Sequence, residues 1–282
     1  MADTKNIIMR QILAILLFAL SVMLYSQESN FVEANGAKIH YVTYGEGEPI
    51  LLLHNFTASH KMWIPWLKGF PQNYQYIIPD LRAHGLTSNP SEVFRHKESA
   101  MDMYELMDAL GVKTFKALGT SSGSMTLIHM ATMDTKRIES MILIGTTTYF
   151  PEACRSIGQN AYFDSIHSGW RNEIIYHQSG GEEQAKDLLR LFRELNTTYD
   201  DMNFTAPYLS TIACPTLIIH GDRDRFFPID IPVDAYKSIP NAYLWVIPNG
   251  SHLPFVHSKT DSIWSEVFIQ VLEQFFKEKK FY

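Results

Sequence analysis

Cysteine is scarce in this sequence, with 2 residues among 282. Two cysteines allow at most one disulfide and are too few for a zinc cluster of their own, which excludes a disulfide-stapled scaffold. We expect Cys154 and Cys214 to be buried thiols with no disulfide between them.

Basic charge is scarce as well. The 24 Lys and Arg residues are outnumbered by 30 Asp and Glu residues, the formal net charge is −6, and no long basic run appears. This charge argues against a nucleic-acid partner. No glycine-rich phosphate loop or dinucleotide fingerprint is present, and no pair of histidines with a carboxylate has the spacing of metal ligands. We therefore expect neither a nucleotide cofactor nor a metal.

Apolar residues are abundant. Hydrophobic residues make up 46% of the sequence and charged residues 19%, with 13 Pro and 15 Gly. Such a chain buries a substantial core and is neither collagenous nor broadly disordered. At roughly 150 residues per domain, its length fits one elaborated domain or two.

The N-terminus has the pattern of an export signal. Lys5 and Arg10 precede an almost wholly apolar run over residues 12–25, and polar residues follow at once. About 14 apolar residues suffice for a signal peptide, whereas a membrane-spanning helix needs roughly 20. We predict that residues 1–26 are a cleaved signal peptide and that the protein is periplasmic or secreted. The alternatives are an uncleaved membrane anchor and a buried helix.

Strands and helices alternate after residue 30. Short apolar runs that end at turn signals predict buried strands at residues 50–53, 76–78, 115–118, 141–144, 217–219 and 243–247. Helical spacing predicts helices at residues 98–110, 125–133 and 262–279. This alternation is typical of a mostly parallel sheet with helices on both faces.

One aromatic-rich stretch without a clear strand, residues 150–204, interrupts the alternation. We interpret it as an insertion within one sheet. Without the signal, about 256 residues remain, which is in the range of a single α/β domain. We therefore predict one domain over residues 31–282 with an insertion at about 149–210.

The first catalytic candidate is Ser121, between Gly119 and Gly123, where a predicted strand turns sharply into a helix. A serine hydroxyl is a weak nucleophile and must project from a tight turn toward a histidine. Small residues on either side permit that turn, which is the pattern G-x-S-x-G. Ser122 lacks such a glycine pair. The alternative is a Gly/Ser-rich connection without chemistry.

Acid and base candidates follow the next strands. Asp222 and Asp224 come after the strand at residues 217–219, and His252 comes after the strand that ends at residue 247. Open α/β folds place their sites at this edge of the sheet. Asp222 remains a rival for the acid. His257 is a second candidate for the base, although no glycine turn precedes it.

From residue 35 to the C-terminus, the sequence resembles the α/β-hydrolase fold family. Five motifs in the family's order carry the resemblance, at residues 54–56, 80–85, 119–123, 221–224 and 250–252. It implies a mostly parallel, eight-stranded α/β sheet with helices on both faces and a helical cap, formed by the insertion.

The resemblance also implies roles for individual residues. Ser121 is expected to be the nucleophile, His252 the general base and then acid, and Asp224 the carboxylate that orients the imidazole. The expected oxyanion donors are the backbone N–H groups of Phe56 and Ser122.

Gly119, Gly123, His54 and Asn55 are the expected structural residues of the turns. At residue 55 the sequence departs from the family, which usually has glycine there. Asn tolerates left-handed backbone conformations better than most residues, so we expect Asn55 to preserve the turn.

A Ser-His-Asp site supports acyl transfer through an acyl-enzyme. We predict a serine hydrolase of carboxylesterase type that acts on a small apolar or aromatic ester, lactone or thioester. Serine at position 121 argues against dehalogenases and epoxide hydrolases, which use aspartate there. The alternatives are a C–C bond hydrolase, a cofactor-free perhydrolase and a ligand-sensing receptor. The expected partner is a small molecule, with no membrane association once the signal is removed.

Overall fold

The computed structural model describes residues 28–255 and 263–279. The predicted signal at residues 1–26 and the rival base His257 lie outside these ranges. Within them, no helix has both the length and the apolar character needed to cross a bilayer.

The described strands form one eight-stranded sheet in the order β1-β2-β4-β3-β5-β6-β7-β8. They are β1 (Glu28–Ala34), β2 (Ala37–Tyr44), β3 (Glu48–Leu53), β4 (Tyr74–Pro79), β5 (Phe115–Thr120), β6 (Ile138–Ile144), β7 (Thr216–Gly221) and β8 (Ala242–Ile247). β1 pairs with β2 and β2 with β4 in antiparallel fashion, and the other pairs are parallel. The predicted mostly parallel sheet is confirmed.

Helices connect the parallel strands. They are α1 (Ile64–Leu67), α2 (His96–Ala109), α3 (Ser122–Met133), α4 (Glu152–Gln159), α5 (Ser168–His177), α6 (Gly181–Leu195), α7 (Ala206–Leu209), α8 (Asp230–Ser238) and α9 (Ile263–Glu278). α2 and α3 begin earlier than their apolar spacing predicted. The first turn of α3 is Ser122, Gly123 and Ser124, which carry no apolar side chain and so no periodic signal.

The core lies on both faces of the sheet. Along β3, Leu51 and Leu53 pack on the face covered by α2 and α3, while Ile50 and Leu52 pack on the face covered by α1 and α9. Successive strand residues point to opposite faces, so a strand buried on both is continuously apolar. This explains why the central strands appear in the sequence as unbroken apolar runs.

The helical segment, residues 145–215, connects β6 to β7 and contains α4 to α7. Its two ends meet at the sheet. The Phe204 N–H donates to the Thr148 carbonyl at 2.9 Å, and Tyr149 forms an isolated antiparallel bridge with Asn203. Residues 150–202 therefore leave the sheet and return to it at nearly the same place.

A buried ion pair ties the N-terminal hairpin to the rest of the domain. Arg82 donates to both carboxylate oxygens of Asp102, at 2.6 and 3.0 Å, and the two side chains are 3% and 0% exposed. Asn35, in the β1–β2 turn, donates to the same carboxylate at 2.9 Å and accepts from Arg82 through its carbonyl.

We predict that Arg82→Met lowers the free energy of unfolding by about 3–5 kcal/mol, because it leaves the Asp102 carboxylate buried without its cation. Arg190→Met is the matched control. Arg190 pairs with Glu194 on the exposed face of α6, where an ion pair contributes at most about 1 kcal/mol. Urea unfolding of both variants measures the difference, and equal losses would contradict the prediction.

Candidate active site

The turn between β5 and α3 carries Ser121 in a strained backbone conformation, with φ 49° and ψ −116°. Two glycines permit it. A Cβ at Gly119 would lie 2.5 Å from the Gly123 carbonyl carbon, and one at Gly123 would overlap the Leu53 carbonyl. The Ser121 N–H donates to the Ile144 carbonyl at 2.8 Å, which fixes the turn to β6. The spacing of the two glycines thus follows from the packing of α3 against β3 and β5.

Ser121, His252 and Asp224 form one chain of hydrogen bonds. The Ser121 hydroxyl donates to His252 Nε2 at 2.9 Å, and His252 Nδ1–H donates to Asp224 Oδ2 at 2.7 Å. We assign this tautomer because an ionised carboxylate only accepts hydrogen bonds. The structure brings together the three residues that the motifs singled out, each just beyond the end of its strand.

Asp224, rather than Asp222, contacts the histidine. The Asp224 side chain is fully buried, and its Oδ1 accepts from the N–H groups of Phe226 and Phe227 at 2.7 and 3.1 Å. Burial alone would raise the pKa of Asp224, but the hydrogen bond from His252, together with His220 and the Phe227 N–H, outweighs burial and lowers that pKa. The Asp222 side chain is one-third exposed, and its nearest cation is Arg223.

The His252 ring lies between aromatic rings and a glycine. Phe226 and Phe227 contact it with centroid distances of 4.8 and 5.1 Å. On the other side, a Cβ at Gly145 would meet the His252 ring atoms at 3.2–3.3 Å and its carbonyl at 2.5 Å. These contacts restrict the imidazole to the orientation that reaches both Ser121 and Asp224.

The two expected oxyanion donors face the same cavity as Ser121. Phe56 and Ser122 both line it, and within the described part of the chain neither backbone N–H donates to a protein acceptor. The neighbouring Thr57 N–H is occupied, because it donates to His84 Nε2 at 3.1 Å. Phe56 rather than Thr57 is therefore an available donor on this loop.

Asn55 does not adopt the left-handed conformation for which its tolerance was invoked. Thr57 adopts it instead, with φ 68°. A β-branched residue in that region is strained and must be held by its surroundings. His84 accepts from the Thr57 N–H, and Gln178 donates to the Thr57 carbonyl at 2.8 Å. The Asn55 side chain instead donates to the Phe56 carbonyl at 2.9 Å.

A cavity of about 440 Å³ opens from Ser121. Its volume lies in the range of small-molecule sites, and most of its wall is apolar. The helical segment supplies much of the covering wall, including Phe150, Trp170, Phe192 and Leu195. The arrangement places the Ser121 hydroxyl, hydrogen-bonded to His252, in an apolar chamber that Phe56 and Ser122 also line.

Comparisons with known proteins show similarity to hydrolases of this fold. A family model described as "alpha/beta hydrolase fold" matches residues 48–165. The serine hydrolase BPHL of Mus musculus is 28% identical over 78% of this chain and 79% of its own. A pimeloyl-[acyl-carrier protein] methyl ester esterase of Legionella pneumophila is 25% identical over 85% and 99%. A meta-cleavage product hydrolase of Pseudomonas fluorescens superposes with a TM-score of 0.69 at 21% identity, over 92% and 100%.

The chain has the α/β-hydrolase fold. It is an enzyme of the serine hydrolase class, since its relatives are hydrolases and Ser121 stands in the activated position.

Two buried histidines connect the loops around the site of the hydrolase. His54 Nδ1–H donates to the Asn55 carbonyl, and its Nε2 accepts from the Leu81 N–H at 2.9 Å. His84 Nδ1–H donates to the Arg82 carbonyl, while its Nε2 holds Thr57. Burial lowers the pKa of His54 to about 4 and that of His84 to about 3. Both rings hold the loops as neutral tautomers, because each Nε2 must accept a hydrogen bond.

Asp80, His40 and His60 form a second polar cluster, which sequence spacing did not reveal. Ligand atoms of the three buried residues lie within 4.8 Å of one another. Both Asp80 oxygens already accept hydrogen bonds, from the His40 and His60 rings and from the His60 and Leu86 N–H groups. Burial alone would raise the pKa of Asp80, but the hydrogen bonds from the two histidines outweigh it and lower that pKa. This geometry is that of a hydrogen-bonded structural carboxylate.

The aromatic residues of the helical segment divide into three groups. Phe150, Trp170 and Phe192 line the cavity. Phe163 and Phe204 are buried in apolar clusters, whereas four tyrosines are at least half exposed: Tyr149, Tyr162, Tyr176 and Tyr199. Cys154 also lines the cavity; burial raises the pKa of its thiol to about 12, and the thiol donates to Asn196 at 3.2 Å.

We predict that the pH dependence of stability flattens in His84→Gln. The unfolded chain binds a proton on His84 near pH 6.5, but the folded chain does not until about pH 3. The free energy of unfolding of the parent therefore falls as the pH drops through this window, by up to about 1.4 kcal/mol per pH unit for one proton. Urea unfolding at pH 7, 6, 5 and 4 gives the two slopes. A variant slope as steep as that of the parent would contradict the prediction.

Proposed function

We propose that the hydrolase is a carboxylesterase-type enzyme that acts on small apolar or aromatic esters, lactones or thioesters. The observation that carries this proposal is the hydrogen-bond chain from Ser121 through His252 to Asp224, which ends in an apolar cavity. The relative from Legionella is an ester hydrolase by name, which is consistent with the proposal.

In the proposed reaction, Ser121 Oγ bonds to the substrate carbonyl carbon as its proton passes to His252 Nε2. The carbonyl oxygen becomes an oxyanion that accepts from the N–H groups of Phe56 and Ser122. His252 then donates its proton to the leaving alcohol or thiol, and the acyl group stays on Ser121. Water then attacks the acyl carbon as its proton passes to His252, the bond between the acyl group and Ser121 Oγ breaks, and His252 returns the proton to Oγ as the acid is released. Asp224 stays ionised and holds the imidazolium.

The cavity supports a small, apolar acyl group. Phe150, Met125 and Leu195 border the chamber that opens from Ser121, and its volume of about 440 Å³ restricts the length of the acyl chain. The charged residues on its wall, Glu173, Arg223 and Arg225, are exposed. We propose that residues 149–210 act as a cap that excludes water and selects the substrate.

We further propose that the hydrolase is exported, with residues 1–26 as a cleaved signal. The support is the basic, then apolar, then polar order of these residues. N-terminal sequencing or intact-mass analysis of the protein secreted from its expression host tests this. A mass that includes residue 1 would contradict cleavage.

We predict that Asp224→Asn lowers kcat for p-nitrophenyl acetate by about 10⁴-fold, because an amide at this position favours the wrong tautomer of His252. Asp222→Asn is the matched control on the same turn, and we expect it to stay within about threefold of the parent, because Asp222 does not contact His252. Similar losses in the two variants would contradict the assignment of the acid.

Labelling with a fluorophosphonate tests the nucleophile directly. We expect modification of the parent at Ser121 alone, located by peptide mass spectrometry, and no labelling of Ser121→Ala. A panel of p-nitrophenyl esters with increasing acyl length then measures the cavity. Undiminished ester hydrolysis by Ser121→Ala would overturn the proposed function, while cleavage of a vinylogous diketone without ester hydrolysis would favour a C–C bond hydrolase.

A further inference from the structure

A second Ser-His-Asp chain lies directly beside the first. The Ser122 hydroxyl is 2.9 Å from His96 Nε2, and His96 Nδ1 is 2.5 Å from Asp201 Oδ2. The three residues are 2%, 0% and 5% exposed. Since the Asp201 carboxylate accepts from Nδ1–H, the neutral ring accepts at Nε2, and the Ser122 hydroxyl donates to it.

The three residues come from three parts of the fold. Ser122 is the first residue of α3, His96 is the first residue of α2, and Asp201 lies in the helical segment between α6 and α7. Asp201 contacts His96 twice, because its Oδ1 also accepts from the His96 N–H at 2.9 Å. Its carbonyl accepts from His129 Nε2 at 2.7 Å. His96 is therefore fixed both at its ring and at its backbone.

The Ser122 N–H, the proposed oxyanion donor, belongs to the peptide plane that joins residues 121 and 122. The carbonyl end of this plane is held by the Met125 N–H at 3.0 Å and the Ser124 hydroxyl at 2.6 Å. At the other end, the Ser122 side chain is held by His96. Since φ is 49° at Ser121, the backbone at this residue is strained, and the orientation of the peptide plane depends on contacts at both ends.

We propose that the relay, defined as Ser122, His96 and Asp201, positions the Ser122 N–H for the developing oxyanion. The proposal rests on Ser121 being the nucleophile. Ser122 and His96 act here as positioning residues, because the Ser122 hydroxyl is turned toward His96 and only its N–H is assigned to the reacting oxygen. Through Asp201, the relay connects this donor to the segment that covers the cavity.

Removal of the Ser122 hydroxyl tests the relay, since the backbone N–H remains. We expect Ser122→Ala to lower both kcat for p-nitrophenyl acetate and the rate of fluorophosphonate labelling of Ser121 by about 10- to 100-fold, with KM within about threefold. Thr132→Ala is the matched control on α3. The Thr132 hydroxyl donates only to carbonyls of its own helix, at 2.9 and 3.0 Å, and its loss leaves both rates unchanged.

Two substitutions at His96 separate positioning from packing. Gln places its carbonyl oxygen near the position of Nε2 and can accept from Ser122, whereas the shorter Asn reaches only the position of Nδ1. We expect His96→Gln to keep labelling within about fivefold of the parent and His96→Asn to fall with Ser122→Ala, at similar melting temperatures. Equal losses in both His96 variants, in proportion to lost stability, would overturn the proposal.

The parent separates failure of the relay from failure of the proposed function. A parent that is not labelled at Ser121 overturns the proposed function and the relay with it. A labelled parent whose Ser122→Ala variant reacts at the same rate overturns the relay alone. A loss seen only in KM for Ser122→Ala also overturns it, because an oxyanion donor acts on the transition state.

Discussion

The close contact of α3 with β3 and β5 is the constraint on which the site depends. It leaves no room for a side chain at Gly119 or Gly123, and it forces Ser121 into a left-handed conformation. Ser121 projects from the sheet edge in this strained conformation, and the next residue, Ser122, lines the cavity. A strained conformation persists only where its surroundings fix it, and here the sheet, the first turn of α3 and His96 do so.

Neutral histidines keep the adjacent loops in place. A neutral imidazole donates at one nitrogen and accepts at the other, so a buried ring can link two backbone segments without carrying charge. His54 and His84 each join a carbonyl to an N–H in this way, and His84 holds the strained Thr57. Gln178, in the helical segment, also holds this loop. Its side-chain amide donates to the Thr57 carbonyl and accepts from the Gly85 N–H. The loop that carries Phe56 is thereby fixed on two sides.

Local patterns predicted the central strands, Ser121 and His252, but left Asp222 and Asp224 as alternatives for the acid until the family resemblance favoured Asp224. Runs such as Ile50 to Leu53 are apolar because both faces of the sheet are covered, and the glycines around Ser121 reflect contacts between neighbouring segments. The relay was missed because His96 and Asp201 are 105 residues apart, and neither belongs to a recognisable motif. Thr57 was missed for a related reason: its strain is compensated by distant partners, whereas intrinsic preference pointed to Asn55. Nor does periodicity show that Tyr176 faces outward while Phe192 faces the cavity.

The junction of the helical segment has an evolutionary consequence. Thr148 and Phe204 pair at the base of the helical segment. The length and sequence of the residues between them therefore do not alter the register of β6 against β7. Such a segment can be exchanged between relatives as a module while the sheet is inherited unchanged. In this chain the exchange is constrained, because Gln178 and Asp201 extend from the helical segment to Thr57 and His96 beneath it. A helical segment from another relative that lacked these two side chains would give the cavity a new shape. It would also leave Thr57 and His96 without the contacts that hold them.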